Sequence, residues 1–296
     1  MMSNSKIKTE LEDCRRLIEN KLNEFFIDET KSYAGLHEAI RYSLLAGGKR
    51  IRAVLCIKFC EASGGNPEDA LNAACAIEML HAYSLIHDDL PCMDNSHMRR
   101  GKPTNHIKYN EFIAILSGDA LQAAAFETLL SSSLPPENIV EMGKILAEAA
   151  GTSGICGGQY LDLYGETKKL STEELNEIHS LKTSALISAA IRIGVVAASG
   201  TSGQLSAAER YAKSIGLAFQ VRDDVLDMTA SAEDLGKPVG SDLLNEKTTF
   251  ATLLGIDACE DIIQIETEKA IKSIKDEFCN TDFLVSFAND LAKRET

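Results

Sequence analysis

The chain has 296 residues, enough for two average domains or one large one with a sizeable core. Apolar residues make up 45% and charged residues 25%, and with no Trp and only 6 Pro the apolar set is led by Ala and Leu, which favours helix over strand. The formal net charge of -14 argues against wrapping nucleic acid or coating an anionic membrane, since both need clustered Lys and Arg. Any anionic ligand must then be held by a local basic cluster or through bound cations.

Taken in chain order, helix-period segments recur from end to end. The opening stretch, MMSNSKIKTELEDCRR, is polar and lacks the apolar core of a secretory signal. Residues 36–45 read as an amphipathic helix stopped by Gly47-Gly48, and 51–62 as a second stopped by Ser63-Gly64-Gly65. Asn66-Pro67-Glu68-Asp69 starts a third with a capping side chain, a first-turn proline and acids at the positive end of the helix dipole. It can run to about Leu90, roughly 35 Å at 1.5 Å per residue. Further helices fit 111–130, 136–150, 172–199, 206–227 and 257–278. The most apolar stretch, 185–199, is short and interrupted by Arg192, so no membrane span is expected. With no Pro/Gly/Ser-rich linker and no run of alternating β-branched residues, the expected architecture is one all-α domain over 1–296. The eight cysteines form no CxxC pair and no zinc-type array, so they read as structural thiols of a reducing compartment, the cytoplasm.

Chemistry concentrates in two acidic stretches. In Gln220-Val221-Arg222-Asp223-Asp224-Val225-Leu226-Asp227, Asp223 and Asp227 are four apart and share a helix face, with Gln220 one turn earlier. Like charges so placed repel, yet the flanks are strongly apolar, and acids in such a helix call for a hard cation such as magnesium or calcium. The other stretch, DDLPCMD, ends the third helix. Asp88 and Asp94 would face apart on a continuous helix, but Pro91 breaks it and lets Asp94 fold back beside Asp88. Ser84 and His81 precede Asp88 on its own face. Positive groups bracket the acids: Lys49, Arg50 and Arg52 after the double glycine, Arg99-Arg100 after the first stretch, and Lys182, Lys237 and Lys247 around the second. Carboxylates that hold magnesium, magnesium that holds phosphate oxygens, and Arg or Lys for the remaining charge explain how so acidic a chain binds a polyanion. A faint echo joins the two stretches, since each leads into a loop carrying Gly-Lys-Pro (101–103 and 236–238).

These residues resemble the short-chain trans-prenyl diphosphate synthases, most closely the bacterial farnesyl diphosphate synthases. The resemblance runs along nearly the whole chain through GGKRIR (47–52), HAYSLIHDDLPCMD (81–94), RRGKPTNH (99–106), GGQYLDL (157–163), Lys182-Thr183, FQVRDDVLD (219–227) and GKPVGSD (236–242). It implies a bundle of long helices around a deep central cavity, usually a homodimer. It implies that Asp88 and Asp94 bind magnesium on the allylic diphosphate from one side and Asp223 from the other, with Asp227 also a metal-site acid and Asp89 and Asp224 completing the acidic surroundings. Arg99, Lys182, Lys237 and Lys247 would hold that diphosphate. Lys49, Arg52, His81 and Arg100 resemble the isopentenyl diphosphate pocket, and Thr183 and Gln220 would line the space beside the reacting carbon.

The implied chemistry is dissociative. Pyrophosphate leaves with its charge balanced by magnesium and cationic side chains, the isopentenyl double bond attacks the allylic cation, and a proton is lost, with no need for a side-chain base. Closing the site against water protects that cation. Tyr83 and Ser84 lie five and four residues before Asp88, and a bulky aromatic at the position of Tyr83 implies a floor near farnesyl length. The expected product is thus farnesyl diphosphate from isopentenyl, dimethylallyl and geranyl diphosphates; a geranylgeranyl diphosphate synthase or a helical terpene cyclase is the alternative. A cyclase has no isopentenyl diphosphate for Lys49, Arg52 and His81 to hold. A His-Asp metal phosphohydrolase would need more spaced histidines, and a non-catalytic relative would lack part of one acidic motif. One departure from the family pattern stands out, since Asn95-Ser96-His97 replaces further acids after Asp94.

Overall fold

A computed structural model of the chain describes residues 4–165, 170–229 and 249–294. Helix α1 (Asn4–Leu22) was not expected. Ile7, Leu11, Cys14, Ile18 and Leu22 recur every three or four residues among charged neighbours and turn one stripe inward. Helices α2 (Ala34–Leu44) and α3 (Ile51–Ala62) lie where the periodicity put them. Helix α4 (Pro67–Asp88) begins as its first residues dictate, with the Asn66 side chain accepting from the Glu68 N–H, and it is buried nearly all round.

A short antiparallel hairpin follows, β1 (Met98–Arg99) paired with β2 (Lys102–Pro103), the only strand pairing among the described residues. Helices α5 (Asn105–Tyr109), α6 (Glu111–Leu130) and α7 (Pro136–Ala150) come next, the last two with the expected bounds. Helix α8 (Ile155–Gly165) was missed, its periodicity diluted by glycines. Helix α9 (Thr172–His179) opens on a capping box between Ser171 and Glu174, then passes through a single π turn (Ser180–Ser184) into α10 (Ala185–Ala197). Helices α11 (Ser202–Thr229), α12 (Phe250–Leu254), α13 (Ile256–Ile274) and α14 (Asp282–Ala292) complete the described chain.

The architecture is all-α. Helix α10 sits at its centre, with Leu186, Ile187, Ile191, Ile193 and Val195 buried, and packs against α3, α4, α7 and α11. Helix α11 lies along α13, and α4 lies between α3 and α6. This layering brings the C-terminal end of α4, the π turn and the last turns of α11 toward one region. Contrary to the sequence expectation, α6 and the run Thr172–Ala197 have the length and apolarity of a membrane span, although half of the second is buried in the bundle. All eight cysteines are free; five are buried as expected, whereas Cys92, Cys156 and Cys279 are exposed.

Candidate active site

Pro91 cannot continue α4, and the chain turns back on itself as the sequence demanded. The Asp94 N–H donates to the Asp88 carbonyl at 2.9 Å, and the N–H groups of Asn95 and Ser96 bond back to Leu90 and Asp89. Asp88 and Asp94 are thereby brought together. Asp88 is the hub of the first stretch. Its Oδ1 accepts from Gln159 Nε2 at 2.6 Å and lies 3.6 Å from Lys182 Nζ, and its Oδ2 is 3.7 Å from Arg99. Asp89 faces inward and is 3% exposed, and Arg99 Nε reaches both of its carboxylate oxygens at 2.9 Å. Burial pushes the Asp89 carboxyl pKa up, and the Arg99 guanidinium only partly offsets this. Asp89 therefore holds Arg99 in place and is not turned toward the open site.

Lys182 and Thr183 lie in the π turn, whose widened turn aims Lys182 at α8 and α4. Lys182 Nζ donates to Asp162 Oδ2 at 2.6 Å. Burial opposes its charge, but Asp162, Asp88 and Asp94 outweigh that and raise its pKa. The close approach depends on Gly158, where an added Cβ would lie 2.2 Å from the Lys182 backbone nitrogen. Gly158→Ala is expected to push the π turn off α8 and to lower stability by about 1–3 kcal/mol, as overpacking does. A denaturation midpoint equal to that of the parent protein would contradict this placement.

Beside the carboxylates lies a cationic pocket. Arg52, Arg100, Arg99 and Arg50 all bear on His81, and burial first, then these charges, hold its pKa well below the usual histidine value, so His81 is neutral at pH 7. Arg100 has a positive φ of 52° and donates to the Gly47 carbonyl; its guanidinium lies against Gly48, where a Cβ would come within 2.9 Å. Arg52 is half-buried with its Nε unpaired, and Lys49 is exposed nearby, its pKa lowered by partial burial and by Arg294. Arg50 departs from the rest of its cluster. It turns into the core, where Nη1 meets Glu78 Oε2 at 3.0 Å and Nη2 the Leu44 carbonyl at 2.8 Å.

The second stretch divides its labour. Asp223 stays at the rim, 33% exposed, and pairs with Arg294, whose guanidinium also lies over the Phe219 ring at 5.3 Å. Asp224 is 5% exposed and accepts from the N–H of Phe250, the first residue of α12, at 2.7 Å, beside the capping box that Thr249 forms with Thr252. Gln220 was expected on the Asp223–Asp227 face, but its Nε2 donates to Asp224 at 3.3 Å. Asp227 is buried. Lys237, Lys247 and the segment 236–242 lie outside the described residues. Arg52 and Lys49 both feel the charge of Asp223, which links this stretch to the cationic pocket. Tyr83 and Ser84 lie on α4 below Asp88, and the Ser84 hydroxyl donates to the His81 carbonyl at 2.9 Å.

Three participants were not singled out beforehand. Gln159 and Asp162 are three apart on α8, a spacing that puts both on one face, and this was legible in GGQYLDL. Arg294 carried no signal. His179, next to the π turn, is a fourth polar group of interest. Its Nε2 is buried without a partner, and burial takes its pKa to about 4 against the opposing charge of Asp162. In the unfolded chain the value is about 6.5, so the unfolded state takes up the proton first as pH falls. Stability is expected to be full above pH 6.5 and to drain away between pH 6.5 and 4. Melting temperatures across that window should fall less steeply for His179→Gln; parallel curves would reject the assignment.

The Polyprenyl synthetase family profile matches residues 34–281, and the chain belongs to that family. It is 49% identical over 235 residues to geranylgeranyl pyrophosphate synthase 3, chloroplastic, of Arabidopsis thaliana, an alignment covering 77% of this chain and 65% of that protein. The chain thus spans a little under two thirds of that relative. It is 44% identical over 277 residues to the geranylgeranyl diphosphate synthase of Cyanophora paradoxa, covering 93% of this chain and 92% of that one. Among solved structures, an FPP/GFPP synthase from Zymomonas mobilis superposes with a TM-score of 0.86 at 34% identity, over 97% of this chain and 99% of that one. The geranylgeranyl pyrophosphate synthetase from Pyrococcus horikoshii Ot3 gives 0.90 at 31%, over 99% and 100%. The chloroplastic relatives overturn the expectation of a cytoplasmic protein, which rested only on a polar start and on cysteine usage.

Proposed function

We propose that this protein is a trans-prenyltransferase that joins isopentenyl diphosphate to allylic diphosphates and releases geranylgeranyl diphosphate. The observation that carries the transferase reading is the arginine-ringed, neutral His81 beside a separate set of carboxylates. Two unlike anion sites suit two diphosphate substrates, whereas a cyclase needs one. The product assignment moves from farnesyl to geranylgeranyl on the names of the relatives, and a plastid location goes with the same likeness.

Asp88 and Asp94 of the first stretch, with Asp223 and Asp227 of the second, supply only carboxylate oxygens, the donor type that suits magnesium. An ion there would be held by one or two of these carboxylates and completed by substrate oxygens and water. Magnesium bound there would neutralise the allylic diphosphate and ease its departure. Lys182, kept charged by Asp162, and Arg99, kept in place by Asp89, meet the same diphosphate. Arg52, Arg100 and Lys49 hold the isopentenyl diphosphate, and His81 donates or accepts a hydrogen bond without adding charge. Thr183 offers the developing cation an oxygen too weak to trap it. Gln220 steadies Asp224. A homodimer is part of this reading, supported by Phe112, Ile115, Leu116 and Leu130, which leave an exposed apolar stripe along α6.

The test is incubation with isopentenyl diphosphate, each of the dimethylallyl, geranyl and farnesyl diphosphates in turn, and magnesium, followed by sizing of the dephosphorylated products. A twenty-carbon end product is expected, and none in the presence of a chelator. Absence of any condensation product overturns the reading; a fifteen-carbon end product overturns only the chain length.

A further inference from the structure

Arg99 and Arg100 are neighbours in the chain but are held by different parts of the fold. They lie at the tip of the β1–β2 hairpin, where Arg99 faces Lys102 and Arg100-Gly101 form a two-residue turn with φ of 52° and 72°. Such a turn usually takes Asn-Gly, so an arginine at its first position is kept there by its surroundings. Arg99 is gripped by Asp89, whose two carboxylate oxygens each lie 2.9 Å from its Nε. Arg100 instead donates to the Gly47 carbonyl. Behind the turn, the exit of β2 is tied to one face of α2. Tyr42 Oη donates to the Pro103 carbonyl at 2.7 Å, and Asn105 Nδ2 donates to the Ala39 carbonyl at 2.8 Å and to Ser43 Oγ at 2.9 Å. Asn105 is 2% exposed, so little water can take over these bonds. Helix α2 runs on through Leu45 and Ala46 into Gly47, four residues past Ser43. Asn105 and Arg100, five residues apart, thus close a short clasp on Ser43 and Gly47 that does not run through Asp89.

We infer that Asn105 is a positioning residue for isopentenyl diphosphate: by tying β2 to α2 it fixes where Arg100 stands over Gly47, while Asp89 fixes Arg99. The role rests on the prenyl-transfer reading above and divides one hairpin between two substrates. Without the Asn105 amide, the exit of β2 loses two of its three bonds to α2. The turn is then left at a positive φ that arginine disfavours, and it no longer presents the Arg100 guanidinium to the pocket around His81. Arg99 stays on Asp89, because charge-assisted hydrogen bonds hold it there.

Steady-state kinetics with each substrate varied in turn, and calorimetric titration of isopentenyl diphosphate, test this. Asn105→Ala is expected to raise KM for isopentenyl diphosphate about tenfold, within the range two hydrogen bonds carry, and to weaken its binding by the same factor. KM for the allylic diphosphate and kcat stay within about twofold of the parent values. Tyr42→Phe removes the third bond, at a site open to solvent, and raises the same KM by about threefold. In an Arg100→Ala background Asn105→Ala adds nothing further, since the amide acts through that arginine. Should Asn105→Ala fold poorly by its melting temperature, Tyr42→Phe and its combination with Arg100→Ala carry the test. An unmoved KM, a rise shared equally by both substrates, a loss confined to kcat, or losses that add to those of Arg100→Ala, in a parent-active background, overturns the role of Asn105 alone. A parent protein without condensation activity overturns the prenyl-transfer reading and this inference with it.

Discussion

Asp88→Asn is expected to lower kcat by about a thousandfold, the upper range for removing one group aimed at developing charge. The side chain of Asp88 is 15% exposed and is shared by Lys182, Arg99 and Gln159, so it is neither spent on a single arginine, as Asp89 is, nor buried against the first residue of α12, as Asp224 is. Asparagine keeps an oxygen for Gln159 and preserves packing, while it removes the charge needed for a divalent ion and for Lys182. Steady-state kinetics across a magnesium titration separate the two effects, since a weakened ion site shifts the titration midpoint as well as kcat. A variant within tenfold of the parent at saturating magnesium would show that Asp88 is not a metal-holding acid.

The second large effect concerns stability. Arg50 and Glu78 are each 3% exposed at the side chain and form a 3.0 Å pair in the core, with Glu19 3.9 Å away as a weak second partner for Arg50. Glu78→Ala leaves a guanidinium buried without its main counter-charge and is expected to cost about 3–5 kcal/mol. Replacing both partners, as in Arg50→Met with Glu78→Leu, should cost far less, because the penalty lies in the orphaned charge. Urea denaturation of the three proteins distinguishes the cases. A Glu78→Ala loss below about 1 kcal/mol would mean that water reaches Arg50 and that the pair is not sealed.

Much of this was readable in one dimension, and the reasons for the exceptions are physical. Helices α6 and α7 were found to the residue because long apolar periods are bounded there by a turn and a proline. The return of Asp94 to Asp88 followed from Pro91 alone. Helix α1 escaped because its apolar stripe is diluted by charges, and only its docking on α3 and α4 makes that stripe meaningful. Lys49, Arg50 and Arg52 were indistinguishable as letters. What sorts them is the positive φ of 52° at Arg50, which turns one cation into the core. The π turn has no sequence signature at all, since it is imposed by the packing of Lys182 over Gly158. Arg294 and Asp223 meet across 71 residues, a pairing that no local pattern encodes.

The arginines around His81 also set how the protein responds to ionic strength. A chain of net charge -14 repels any approaching anion at long range, whereas the cationic patch of Arg52, Arg99 and Arg100 around His81 attracts one only at close range. The screening length is about 10 Å at 0.1 M salt, so moderate salt dims the distant repulsion before it weakens the close attraction. Encounter rates should therefore climb as salt is added from very low levels and decline only at high concentration, the opposite of a protein that steers its ligand in with its overall field.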